Sequence, residues 1–97
     1  MSYYERNHEP DVEYLFRHGY GLSFDEARDK AERMLREAGV NEEIIQMELS
    51  QENVSYITVV GILRYPEILR EYKRKTDLSD RSNAQHYILF VENMIDY

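Results

Sequence analysis

The segment from Leu22 to Val40 carries the signals for both ends of a helix, and that punctuation limits the fold more than any other feature of the chain. Ser23 is a good N-cap, and Glu26, three residues on, completes a capping box. Leu22 before the cap and Ala27 inside the helix form a hydrophobic staple. Phe24, Ala27, Ala31, Met34, Leu35 and Ala38 then recur at helical spacing. The opposite face carries Arg28–Glu32, Asp29–Arg33 and Glu32–Arg36, each an i,i+4 pair of opposite charge. Gly39 stands where a helix closes in the left-handed conformation, with Val40 placed to contact Leu35 as in a Schellman stop. The spacing predicts a helix over 24–38.

Residues 41–65 admit two readings. In the helical one, Asn41 caps a short helix over 42–48. Ser50 caps a second, from about Gln51 to Arg64, which is apolar on most sides, as a central buried helix is. In the other, Ile45, Met47 and Leu49 alternate with polar residues, Ser50–Asn53 makes a turn, and the β-formers of Val54–Val60 make the second strand of a hairpin. Pro66 closes this region either way. It drives Tyr65 out of the α conformation and opens a new helix at about 66–76, whose apolar face is Tyr65, Ile68, Leu69 and Tyr72. Glu71 and Lys75 form an i,i+4 pair on it. The last helix starts after Ser79 or Ser82, where Ser82 and Gln85 spell a second capping box, and runs nearly to Tyr97. Its stripe is Ala84, Tyr87, Ile88, Val91, Met94 and Ile95, widened by the apolar run Tyr87–Val91. Upstream, Met1–Glu9 reads as a flexible polar segment and Pro10–His18 as a short helix carrying Val12, Leu15 and Phe16. The expected fold is mainly α. It is a compact bundle of five to six short helices over 10–97, with an α+β fold containing a hairpin at about 44–63 as the alternative.

Composition fits one small domain. The chain has 97 residues, 42% of them apolar and 32% charged, with a net charge of −7. That charge is uneven. Residues 1–52 hold 13 acidic and 6 basic side chains, and residues 53–97 hold 6 of each. No apolar run reaches the ~18 residues of a membrane span, and MSYYERNHEPD offers no secretory h-region, so the expected setting is cytoplasmic. There is no cysteine, which removes disulfides, thiolate nucleophiles and thiolate metal sites.

The motifs of catalysis are missing. His8, His18 and His86 share no metal-binding spacing, and GxGxxG, P-loop, GxSxG and HExxH patterns are absent. The acidic pairs Asp25–Glu26 and Glu42–Glu43 sit at expected helix N-termini, where they complement the dipole. No catalytic residue, cofactor or metal is therefore expected. Arg70, Lys73 and Arg74 share one helix face as candidate phosphate contacts, although positive charge near a helix C-terminus is also what the dipole favours. Upstream, Ile44, Met47 and Leu49 precede the capping Ser50, and Val54 and Ile57 follow at helical spacing. This pattern resembles the core of a helix-turn-helix. It departs from that motif in having Ile44 where a small residue is usual, no glycine in the turn, and Glu52 facing outward.

Nine tyrosines are a surplus. Tyrosine joins an apolar ring to a polar tip and is enriched at protein interfaces. Tyr65, Tyr72 and Tyr87 fall on predicted core stripes. Tyr3, Tyr4, Tyr14, Tyr20 and Tyr97 do not, and are the expected partner contacts. Together these features point to a small acidic regulator, inhibitor or adaptor that binds another protein, with self-association through the C-terminal helix. A helix-turn-helix-like DNA-binding regulator and an acidic nucleic-acid mimic are the alternatives. Nucleic acid is the less favoured partner, because a chain with this net charge repels a polyanion.

Overall fold

The first helix is capped as its sequence spells. In the computed structural model, which describes residues 21–49 and 56–95, α1 spans Phe24–Glu37. The Glu26 backbone N–H donates to Ser23 Oγ at 3.2 Å, and the Ser23 N–H donates to Glu26 Oε1 at 2.9 Å, so both arms of the capping box are closed. At the other end the Val40 N–H reaches the Leu35 carbonyl at 3.0 Å and the Gly39 N–H reaches that of Arg36 at 3.0 Å. Gly39 adopts φ +79°, which completes a Schellman stop. Ala27, Ala31 and Leu35 are fully buried. Of the predicted surface pairs, Glu32–Arg36 closes at 3.0 Å.

Asn41 ties the next turn down from both sides. Its Oδ1 accepts from the Ile44 N–H at 3.2 Å, capping α2 (Glu42–Leu49). Its Nδ2 donates to the Ser79 carbonyl at 2.9 Å, and its own N–H to that of Leu78 at 2.8 Å. The cap of α2 is thus also the anchor of the distant 76–80 loop.

α3 (Tyr56–Arg64) lies at the centre, with Thr58, Val59, Val60, Gly61 and Ile62 all buried. The hairpin alternative for 44–63 is overturned, since both of its described arms are helical. The β-branched residues fill α3 because burial on nearly every side outweighs a helix-propensity cost of a few tenths of a kcal/mol each. α4 (Pro66–Lys75) follows after a single residue, with Pro66 at its first position and Tyr65 before it at φ −124°, ψ 61°, outside the α region. The Thr76 hydroxyl donates to the Tyr72 carbonyl at 2.8 Å and helps end it.

α5 spans Arg81–Asn93, and its start departs from the predicted one. Asp80 is the cap, accepting from the Asn83 N–H at 3.1 Å, and Ser82 sits inside the first turn. Asp77 organises the approach by accepting from the Ser79 N–H at 3.0 Å and hydroxyl at 2.6 Å, which delivers Asp80 rather than Ser82 to the helix entrance. Among the described residues the fold is therefore a mainly α bundle of five short helices and no strand. The segment 1–9, the helix at 10–18, and the Ser50 cap with the start of its helix lie outside the described residues.

The tightest joint is between α3 and α5. A Cβ placed on Gly61 would lie 2.8 Å from the Val91 carbonyl oxygen and 3.1 Å from the carbonyl carbon. Backbone cannot move aside as a flexible side chain can. Gly61→Ala is therefore expected to lower the urea midpoint. Its ~1 kcal/mol gain in helix propensity is outweighed by an overpacking cost of roughly 1–3 kcal/mol, and Gly61→Val loses more. A midpoint equal to or above that of the parent would contradict this crossing.

Candidate functional site

α4 and α5 run antiparallel, with Tyr65 near Met94 at one end and Tyr72 beside His86 at the other. Between them lies an open groove of about 680 Å³. Its floor comes from Ile68 and Tyr72 on α4, at i,i+4, and from His86 and Phe90 on α5 and Met94 at its C-cap, at i,i+4,i+8. Tyr72 organises it. Its ring meets Tyr87 edge-on at 5.4 Å between centroids, His86 at 6.1 Å, and Phe90, tilted, at 6.0 Å. Tyr87 is the buried side of this cluster. It is fully enclosed, its hydroxyl has no hydrogen-bond partner among the described residues, and burial pushes its phenol well above the usual range.

Towards its C-terminal end α5 leaves three large apolar side chains open to solvent, among exposed polar ones. Leu89 is 54% exposed, Phe90 43% and Met94 40%. The predicted wide face over Tyr87–Val91 thus divides, with Tyr87, Ile88 and Val91 in the core and Leu89 and Phe90 outside. Charge is confined to the α4 rim, where Glu67, Glu71 and Lys75 follow one another at i,i+4,i+8. Glu71 accepts from Arg74 at 2.6 Å and pairs with Lys75 at 3.3 Å. The Arg74 hydrogen bond, with that of Lys75, holds its carboxyl below the usual range.

Of the predicted phosphate contacts, Arg70 and Lys73 lie together and Arg74 stands apart. Arg70 and Lys73 border a shallow depression between the end of α1 and α4, floored by Met34, Ala38, Pro66 and Leu69. Arg74 turns to Glu71 instead. The turn of the helix-turn-helix resemblance, within residues 50–55, is outside the described residues. So are Tyr3, Tyr4, Tyr14, Tyr20 and Tyr97, the predicted partner contacts, together with His8 and His18.

The acidic pairs at helix starts are engaged in structure. Glu42 accepts from Arg36 at 2.7 Å and from Gln46 at 3.0 Å, which holds its carboxyl down at about 2. Arg81 donates to Glu43 at 3.2 Å. A further pair escaped the sequence reading because its members are far apart in the chain. Glu92 on α5 accepts from the buried Thr58 hydroxyl at 2.5 Å, and Glu48 on α2 lies close enough to feel its charge. Burial first, and Glu92 second, raise the Glu48 carboxyl above its ordinary value. Among the described residues no group of three His, Asp or Glu could hold a metal, and no helix is long and apolar enough to cross a membrane. No family model matches the sequence, and no curated protein or solved structure is significantly similar to it.

Glu48 sets a pH dependence. Its folded-state value lies above the unfolded value of 4.5, so folding favours its protonated form. Below the unfolded value the side chain is neutral in both states and nothing is lost. As pH rises through the folded value, ionised Glu48 destabilises the fold. Glu48→Gln should therefore raise the melting temperature at neutral pH and change it little below pH 4.5. A variant that melts lower at neutral pH would contradict this assignment.

Proposed function

We propose that the chain is a small non-catalytic regulator or adaptor that works by binding protein, and that the α4–α5 groove is its docking face. One observation carries this reading: Leu89, Phe90 and Met94 stand exposed beside an aromatic-floored groove in a chain with a limited core. Exposed apolar patches of this kind are where soluble proteins meet partners. The make-up of the groove matches the centre of a protein interface, where aromatic residues and methionine are enriched and charge is sparse. Its charges sit only on the rim, where they set orientation and rate of encounter more than affinity.

A photo-crosslinking amino acid placed at Leu89 or Phe90, in the full chain in its native host, is expected to trap a protein in a discrete adduct. The same amino acid at Asp29, on the exposed side of α1, is the control. Equal trapping at all three positions, or none at Leu89 and Phe90, would contradict a docking role for the groove.

A further inference from the structure

We propose that the occupant of the α4–α5 groove is the same groove of a second copy of this chain, packed antiparallel about a twofold axis that crosses both helices. The inference rests on reading the groove as a protein-docking face and names what docks there.

The order of charges along α4 carries the argument. The rim begins with Glu67, passes Glu71 and ends with Lys75, all on one stripe of the helix. It is acidic at the N-terminal end and basic at the C-terminal end. A twofold interface brings residue i of one subunit to residue j of the other, and j to i. When two such rims meet antiparallel, Glu67 faces Lys75 of the second copy, and the pair forms twice. Glu71, near the axis, is already neutralised by Arg74 and Lys75. The α5 stripe obeys the same operation. Phe90 lies midway between His86 and Met94, so it meets its own counterpart, while Met94 meets His86.

The other twofold that would stack the two grooves, with its axis along the helices, sets α4 against α5. There Glu67 would lie over the α5 stripe of His86, Phe90 and Met94, which carries no Lys or Arg, and would be desolvated at a cost, while Lys75 would keep only Glu71 of its own chain. The charge order therefore selects the antiparallel arrangement. Two further features favour a like partner. Ser82 through Val91 contains no Asp, Glu, Lys or Arg, so two copies of α5 meet without like charges. The chain's net acidity falls within residues 1–52, whereas residues 53–97, which supply the groove, balance 6 acidic with 6 basic side chains.

Sedimentation equilibrium on the full chain, from low micromolar to near-millimolar concentration, tests this. The wild type is expected to rise with concentration to twice its 11.7 kDa mass. Phe90→Glu should remain a monomer with an unchanged circular dichroism spectrum. Glu67→Lys and Lys75→Glu should each weaken the dimer by roughly fivefold, the scale of exposed ion pairs, and the double reversal should restore it. Both positions are exposed, so the charge series stays readable even if Phe90→Glu fails to fold. A wild type that stays monomeric overturns the inference. If crosslinks from Leu89 or Phe90 then reach a different protein, the docking reading survives without it; if they reach none, both fall. A dimer that persists in Phe90→Glu places the contact elsewhere and overturns the inference. Failure of the double reversal to restore the dimer overturns the antiparallel alignment.

Discussion

The approach of Gly61 to the Val91 backbone is the constraint on which the arrangement of the other helices depends. Thr58, Gly61 and Tyr65 lie along one face of α3 and just past its end, at i,i+3,i+7. They meet Glu92, Val91 and Met94 in turn: a hydroxyl on a carboxylate, a bare backbone on a carbonyl, and a phenol on a carbonyl at 3.5 Å. That seam admits no side chain at its middle. It draws the C-terminal half of α5 onto the central helix and fixes its rotation, because the Tyr87, Ile88 and Val91 face must point inward for the contact to form. The opposite face, with Leu89, Phe90 and Met94, is left outside.

The groove follows from the same seam. Pro66 ends α3 and opens α4, with only Tyr65 between the two helices. α4 then lies along a side of α5 that α3 and α2 leave open. The Tyr72 ring closes the gap at the bottom against Tyr87, and Leu69 seals it from the core side. Above that level there is no further layer of chain among the described residues to cover Phe90. The polar devices elsewhere serve to hold this geometry. Asn41 ties the end of α1 to the 76–80 loop, and Asp77 and Asp80 set where α5 begins. The buried Tyr87 hydroxyl, without a hydrogen-bond partner among the described residues, accompanies an aromatic ring placed under Tyr72.

Much of this was legible wherever a local rule decides the structure. Ser23 and Glu26 close their box, Gly39 takes the left-handed turn, Asn41 caps, and Pro66 opens α4, because each acts on backbone within a few residues of itself. Long-range placement was not legible. Val59, Val60 and Ile62 admit a strand as the alternative to a buried helix until the neighbours that surround them are known. Ser82 with Gln85 spelled a cap, and the Asp77–Ser79 turn upstream put Asp80 in that place instead. Glycine is a poor former of helix and strand alike, yet at Gly61 the missing side chain is what the seam requires. The candidate site was half visible. The Tyr87–Val91 run announced a face needing cover, but its division into core and exposed halves depends on the rotation of α5. The Glu48–Glu92 pair depends on a contact between helices that no spacing encodes.

The central claim is that α5 buries one side on α3 and leaves the other open over α4. Because the chain has no native cysteine, single cysteine substitutions report one position each. Thiol labelling of dilute protein is the most direct measurement. Leu89→Cys, Phe90→Cys and Met94→Cys should react nearly as fast as in the denatured chain, while Ile88→Cys and Val91→Cys should react only as fast as the protein unfolds. Labelling at Ile88 and Val91 as rapid as at Leu89, or protection at all five positions in dilute monomer, would contradict the account.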